Sequence, residues 1–327
     1  MKLSATSDVK ALDEDRMGPK WEAHFRSLWP EYRAWFLSEK DQERPTYLAS
    51  LRAMRNYMPE LIPAYERAVE LAGGSDIAAR MLSGYRPPAY ISGCSQAIFR
   101  GIASVPRSAP ALVRNYDYAA ALWEAVIIRS AWNGRRVLGM SDCLWGLLDG
   151  INDCGLAVSL AFGGRRVVGD GFGIPIVLRY VLEFCENTKE AVETLSRVPS
   201  HMSYNITVLD AQGAHATVMV APDRAPVVTQ QLVVTNHQTR VEWHEHALAT
   251  GSVDRLRVLS LHASDPQETE ERFVRRFREP PVYSRKHATG LGTLYTAVYR
   301  PELRRVCYLW PDKQWEVSLE RRLESQR

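Results

Sequence analysis

The sequence predicts an α+β protein in which packed antiparallel sheets carry helical layers outside. Three observations predict it. Residues 19 to 82 place apolar side chains at helical spacing on a highly charged background. Beyond Cys94 the texture changes to short apolar or β-branched runs broken by Gly, Asn and Asp. Those runs form two groups, split by a helix pair and followed by further helices.

Trp21, Phe25, Leu28 and Trp29, then Tyr32, Trp35 and Phe36, recur at helical spacing. A second helix is expected from 46 to about 57, with Leu48, Leu51 and Met54 on one face, broken by Met58-Pro59. A third runs to Leu71 and stops at Gly73-Gly74. Ser75 caps a short helix through Met81. Tyr85-Arg86-Pro87-Pro88 must be extended, because proline fixes its own φ and biases its predecessor away from the α region. Residues 89 to 94 are thereby presented as a stretched segment.

Candidate strands follow at 96–100, 111–115, 124–129, 136–140, 145–149 and 156–162, with turn chemistry expected over 149–155. Two helices come next, 175–185 and one capped by Asn187 with Glu190 three residues on. A hairpin (204–209 and 214–220), strands near Val227 and Val233, helices at 252–262 and 267–277, and a closing hairpin (293–299 and 306–310) complete the chain.

A hydrophobic fraction of 46% over 327 residues is ample for a core, and a formal charge of +3 is too small to argue for nucleic acid or an anionic membrane. The first 18 residues show no apolar signal region, and no run approaches the roughly 18 apolar residues of a membrane span. Five cysteines, at 94, 143, 154, 185 and 307, form an odd set without CxxC spacing. That argues against a disulfide framework and a zinc knuckle, and fits mostly buried free thiols in a reducing cytoplasm.

One cysteine stands apart. Cys94 follows Gly93 at the junction of the two textures, after the extended Pro-Pro segment. A lone cysteine before a strand is most often a small buried hydrophobe. The alternative is that Gly93–Cys94 is a self-cleaved bond. The freed α-amino group, with an ordinary pKa of about 7.7–8.0, would then serve as general base for its own thiol. Arg114-Asn115-Tyr116-Asp117 lies twenty residues on. Arg114 would favour the thiolate and Asp117 would orient the α-ammonium or a substrate amine. Three apart, they face opposite sides of an ideal strand and converge only if it ends or bends near Tyr116. The competing reading is an edge-strand ion pair worth under about 1 kcal/mol. Asn236, after the apolar run Leu232-Val233-Val234, could donate to a developing oxyanion or simply be a turn asparagine.

In order, Gly93-Cys94, Arg114-Asn115-Tyr116-Asp117, Asp149-Gly150-Ile151-Asn152 with Gly155-Leu156-Ala157-Val158, and Thr235-Asn236 resemble the N-terminal-nucleophile hydrolases. Within them the set is similar to the branch of isopenicillin-N acyltransferase and choloylglycine hydrolases. The resemblance covers roughly 92 to 257 and, more weakly, the closing hairpin. It implies a four-layer αββα sandwich over 94–327, preceded by a helical segment, 1–93, that is cut off but retained. It implies Cys94 as nucleophile, Arg114 and Asp117 as positioning and polarising groups, and Asn236 as oxyanion donor. Ser252-Val253-Asp254-Arg255 resembles the family's later serine–arginine segment and adds Arg255. The implied substrate is a small linear amide or an acyl thioester such as acyl-CoA, with no cofactor and no metal; self-association is left open. One departure stands out: Ala161 lies near where the bile-salt branch has an asparagine.

Other signals are weaker. His244-Glu245-His246, expected in a polar loop, lacks a third metal ligand, and Arg272, Arg275, Arg276 and Arg278 around Phe273 and Phe277 read as a solvated helix face over two core aromatics. The glycines of 163 to 173 form no strand–GxGxxG–helix unit, so no dinucleotide site is expected. Two competing readings remain: a non-catalytic binding protein of the same fold, and a Cys–His protease using a histidine such as His215 or His237.

Overall fold

The computed structural model describes residues 9–101 and 109–323. Residues 1–8, part of the start read above for a signal, lie outside them.

The chain opens with a strand, β1 (Lys10–Glu14), then four helices: α1 (Pro19–Phe36), α2 (Tyr47–Tyr57), α3 (Ile62–Leu71) and α4 (Asp76–Leu82). Thr46 and Ser75 cap α2 and α4 by accepting the amides of Ala49 and Ala78. Strands β2 (Gly93–Phe99), β3 (Ala111–Tyr118), β4 (Val126–Ser130), β5 (Val137–Asp142), β6 (Gly146–Asn152) and β7 (Ala157–Phe162) follow. Helices α5 (Ile174–Phe184) and α6 (Thr188–Arg197) come next. Asn187 Oδ1 accepts the Glu190 amide and Glu190 reaches back to the Glu186 amide, so the expected cap is formed. The chain continues through β8 (Tyr204–Leu209), β9 (His215–Ala221), β10 (Arg224–Thr229), β11 (Val233–Val234), α7 (His244–Thr250), α8 (Ser252–Ala263) and α9 (Glu270–Phe277). It closes with β12 (Arg285–Lys286), β13 (Leu291–Arg300), β14 (Arg305–Leu309) and β15 (Gln314–Ser318).

The strands build two sheets. One has the order β1-β4-β5-β6-β7-β8-β9-β10 and is antiparallel except where β1 lies parallel to β4. The other has the order β11-β2-β3-β13-β14-β15, with β12 beside β13, and every pair in it is antiparallel. Strands β2 and β3 face β7 and β8 across the interior. Helices α5 and α6 cover the outer face of the first sheet, and α8 and α9 cover the outer face of the second. This is the four-layer αββα sandwich.

The N-terminal helices extend the layer over α5. Tyr180 of α5 donates to Glu60 at 2.6 Å, Trp145 Nε1 to Leu82 O at 2.9 Å, and Trp21 Nε1 to Leu144 O at 3.0 Å. Trp21, Met54 and Tyr65 belong to the same apolar core as Ile127, Leu147 and Leu178. Burial on both sides explains why α5 is almost entirely apolar, and its one charged pair, Arg179–Glu183, is internal at 2.6 Å.

Three expectations are corrected. The turn placed over 149–155 is displaced, since Asp149 to Asn152 belong to β6 and the chain reverses only at Asp153 to Gly155, where Gly155 takes φ +79°. Gly150 is small because Leu182 of α5 and Gly139 of β5 press on it, not because the chain turns there. The segment holding His244-Glu245-His246, expected as a polar loop, is helix α7. Of the four thiols read as mostly buried, Cys185 and Cys307 are buried, while Cys143 and Cys154 are partly exposed.

Candidate active site

The site forms where β2 starts, between the two sheets. Cys94 is the second residue of β2 and is fully buried. Its cross-strand partner on β3 is Tyr116, while Gln96 pairs with Arg114. Alternation therefore turns Cys94, Gln96, Arg114 and Tyr116 towards the first sheet, and Ser95, Asn115 and Asp117 towards α8 and α9. The contacts agree: Asn115 Nδ2 donates to Phe277 O at 2.7 Å, at the end of α9.

On the inner face Arg114 is wholly buried. Its Nη2 donates to Cys94 Sγ at 3.5 Å, and its Nη1 donates to Leu148 O at 2.8 Å and to the Asp149 carboxylate. Asp149 also accepts from Tyr295, at 2.5 Å, and from Tyr299. This ion pair has no access to water, so each charge depends on the other and on these hydroxyls.

On the outer face Arg255, in the first turn of α8, donates to Asp117 Oδ2 at 2.6 Å and to Ser95 Oγ at 2.9 Å. Thr293 Oγ1 donates to Asp117 Oδ1 at 2.6 Å. Burial pushes the Asp117 carboxyl above its usual range, while Arg255 and Thr293 pull the other way. Two donors aimed at its two oxygens are the arrangement an ionised carboxylate accepts. Arg114 and Asp117 thus stay on opposite faces: β3 runs on to Tyr118 without the end or bend their convergence needs.

Asn236, two residues past the end of β11 on the side of β2 away from β3, joins the two faces. Its Oδ1 accepts the Cys94 backbone amide at 2.9 Å and Arg255 Nη2 at 2.8 Å. Its Nδ2 donates to Phe162 O at 3.2 Å and, at the limit of hydrogen-bond length, to Ser92 O at 3.5 Å. The bend around it is fixed from both sides. Ser252 Oγ of α8 meets Thr235 Oγ1 at 2.9 Å and His237 Nδ1 at 2.7 Å. Gly164, at φ +68°, lies so close that an added Cβ would sit 2.2 Å from Asn236 O.

All five expected side chains, Cys94, Arg114, Asp117, Asn236 and Arg255, therefore meet within one buried network. His215 and His237 do not touch Cys94: the first faces Gly213 O and the second Ser252. Among the described residues no group of His, Cys, Asp and Glu is arranged to hold a metal ion, and no helix is long and apolar enough to cross a membrane.

Residue reading alone missed three contributors. Asp149 is the charge partner of Arg114, and its only signal was its place in the Asp149-Gly150 motif. Asn205 on β8 pairs across the ladder with Ala161, so the amide missing at Ala161 has a neighbour one strand away. Its Nδ2 donates at 2.9 Å to both Thr235 O and His237 O, the carbonyls flanking Asn236. Nothing in the sequence around Asn205 marks it. His246 packs edge-on against Phe162, 5.1 Å between ring centroids, and burial lowers its pKa to about 4.

Compared with known proteins, residues 105–315 match the family profile described as acyl-coenzyme A:6-aminopenicillanic acid acyl-transferase. The chain belongs to this family. It thereby has the N-terminal-nucleophile hydrolase fold and is an enzyme of the amidohydrolase and acyltransferase kind. The matched stretch begins after Cys94 and contains Arg114, Asp117, Asn236 and Arg255. Among solved structures the chain is similar to penicillin V acylase from Agrobacterium tumefaciens, at 16% identity over 69% of this chain and 86% of that one, TM-score 0.47. It is also similar to the Caenorhabditis elegans N-acylethanolamine-hydrolyzing acid amidase orthologue, at 18% identity over 68% and 100%, TM-score 0.48. A third is a mutant of the conjugated bile acid hydrolase from Clostridium perfringens, at 12% identity over 69% and 92%, TM-score 0.46. No curated protein sequence matches the chain.

Proposed function

We propose that the chain is a self-cleaving thiol acyl-transfer enzyme whose nucleophile is Cys94. It would act on a small linear amide or an acyl thioester, in the cytoplasm. One observation carries this reading: both reactive atoms of Cys94 are held by side chains from other parts of the chain, the sulfur by Arg114 of β3 and the amide nitrogen by Asn236 just past β11.

In the first step Cys94 Sγ adds to the Gly93 carbonyl, the C–N bond breaks, the nitrogen takes the proton, and water resolves the thioester. Two products form, 1–93 and 94–327. The N-terminal product has reason to stay, because β1 is a strand of the first sheet and α1 to α4 share its core. The new α-amino group keeps Asn236 Oδ1 as acceptor, leaving its lone pair to take the thiol proton. Arg114 offsets negative charge on sulfur at 3.5 Å. In the uncut chain Asn236 Nδ2 is committed to Phe162 O and Ser92 O. Departure of Ser92 releases that donor towards the oxyanion of a bound acyl group. The acyl-enzyme then passes its acyl group to water or to an amine.

Intact-mass measurement on the purified, folded protein tests the reading. Two chains are expected for the wild type, one for Cys94→Ala, and slow cutting for Cys94→Ser. A folded wild type that stays at full length and whose Cys94 resists thiol reagents would refute it. A non-catalytic protein of the same fold predicts that blocking Cys94 changes nothing. The buried Arg114–Asp149 and Arg255–Asp117 pairs around one thiol argue against that role.

A further inference from the structure

Self-cleavage has a consequence for the substrate. When Cys94 Sγ attacks Gly93, the preceding residues become the acyl chain of the first thioester on that sulfur. Whatever surrounds them in the uncut chain is therefore a wall available to a later acyl group on the same atom.

Ala89 and Ile91 are exposed and Ser92 is buried, with Tyr90 half-buried between them and its ring turned inward. Its ring meets Trp35 edge-on at 6.2 Å and Tyr118 edge-on at 6.2 Å. Its hydroxyl donates to Asp142 Oδ2 at 3.2 Å. Tyr118 packs on Tyr116 at 5.7 Å, and Tyr116 is the cross-strand partner of Cys94. An aromatic path thus runs from the thiol to a buried carboxyl at the end of β5. Beside Tyr90 lies a small apolar recess lined by Trp35, Leu82, Cys143, Trp145 and Ile176.

We infer that the slot filled by Tyr90 is the acyl-specificity subsite, and that it takes the aryl end of a long acyl chain, as far from the thioester carbonyl as Tyr90 is from Gly93, whose tip donates a hydrogen bond to Asp142. This rests on Cys94 being the nucleophile. Upstream, the segment is anchored at Arg86, whose amide donates to Gly171 O at 2.9 Å and whose carbonyl accepts Arg44 Nη1 at 2.9 Å. Pro87 and Pro88 are buried behind it. Cutting at Gly93 frees the other end, so 89–93 can leave while the helices stay packed. Asp142 then loses the Tyr90 donor inside the protein, and an acyl group that replaces it regains a contact that is costly to leave unmade. Sites built around such a contact discriminate far more strongly than apolar slots do.

The test uses the full, self-cleaved chain with thioesters of N-acetyl-Xaa-Ile-Ser-Gly, where Xaa is tyrosine, 4-methoxyphenylalanine, phenylalanine or norleucine, so that the ring stands as far along the acyl chain as Tyr90 does. The expected result is a kcat/KM for the tyrosyl compound about 100-fold above the 4-methoxy compound. Asp142→Leu should bring the two together. If that variant does not fold, product inhibition of the wild type by the free tyrosyl acid against the free 4-methoxy acid reads the same preference. Equal rates or equal inhibition, or the norleucyl compound preferred to every aryl one, overturns the subsite and leaves Cys94 as nucleophile intact. An uncut chain with no thiol-dependent turnover overturns the reading beneath it instead.

Discussion

Asn236 Oδ1 accepts the Cys94 amide at 2.9 Å across 142 residues of sequence, and the same oxygen accepts Arg255 Nη2 at 2.8 Å. Arg255 is in turn held by Asp117 on the outer face of β3. The backbone nitrogen of Cys94, which the proposed cut would free, is therefore fixed, through one amide oxygen, to an ion pair on the opposite side of the sheet from Arg114. The sulfur answers to the inner face and the nitrogen to the outer one.

If Asn236 serves both the Cys94 nitrogen and the oxyanion, removing it damages chemistry more than binding. Asn236→Ala is expected to lower kcat by about 10²–10³-fold with KM nearly unchanged, the usual effect of losing an oxyanion donor. Steady-state kinetics on cleaved protein check this, and a KM-only effect would contradict it.

Breaking the Arg255–Asp117 pair from one side should be costly in stability. Arg255→Ala leaves the Asp117 carboxylate buried and without its cation, a loss of about 3–5 kcal/mol. Denaturant unfolding should show it, with Asp117→Asn in the Arg255→Ala background recovering part of the loss. No recovery would mean that the packing of Arg255, not its charge, is what counts.

Asn205 and Asn152 form a matched pair. Each is buried and donates to two carbonyls: Asn205 to those flanking Asn236, and Asn152 to Leu182 O and Cys185 O at the end of α5. Both alanine variants should lose about 1–3 kcal/mol. Only Asn205→Ala should also slow self-cleavage and kcat, by about tenfold or more, because a positional shift next to reacting atoms is felt there. Equal kinetics in the two variants would leave Asn205 a purely structural residue.

His246 sets part of the acid limb of stability. It lies beside Ser92, Phe162 and Trp243 with Arg255 nearby, and its pKa is lowered to about 4 by burial first and by Arg255 in addition. Between that value and the ordinary 6.5, the unfolded chain binds the proton and the folded one does not. Stability from this group is then complete above pH 6.5 and falls as the pH drops towards 4, by up to about 3 kcal/mol. Thermal unfolding of the wild type against His246→Phe should show a shallower loss over pH 6.5 to 4 in the variant.

Much of the fold was legible because most strands are apolar, bounded runs and four of the nine described helices carry side-chain caps, at Thr46, Ser75, Asn187 and Thr269. The exceptions have local causes. Strand β1, Lys-Ala-Leu-Asp-Glu, is too short and charged to announce itself, and it exists through its parallel pairing with β4. Helix α7 looked like a polar loop because only His246, Ala247 and Thr250 of it are buried. The turn near Gly150 was misplaced because a glycine required by helix packing looks the same in sequence as one required by a turn.

At the site, the sequence by itself determined which residue types arrive and in what order: Gly93-Cys94, Arg114, Asp117, Asn236, Arg255. Strand alternation even stated the condition under which Arg114 and Asp117 could meet. Only the tertiary structure decided that they do not, and that each has its own buried partner, Asp149 and Arg255. It alone revealed Asn205 behind Asn236, and Tyr90 against Asp142. Periodicity fixes which face of an element a side chain occupies, but the partner of a buried charge comes from whichever strand the fold brings opposite, and that is set by long-range packing.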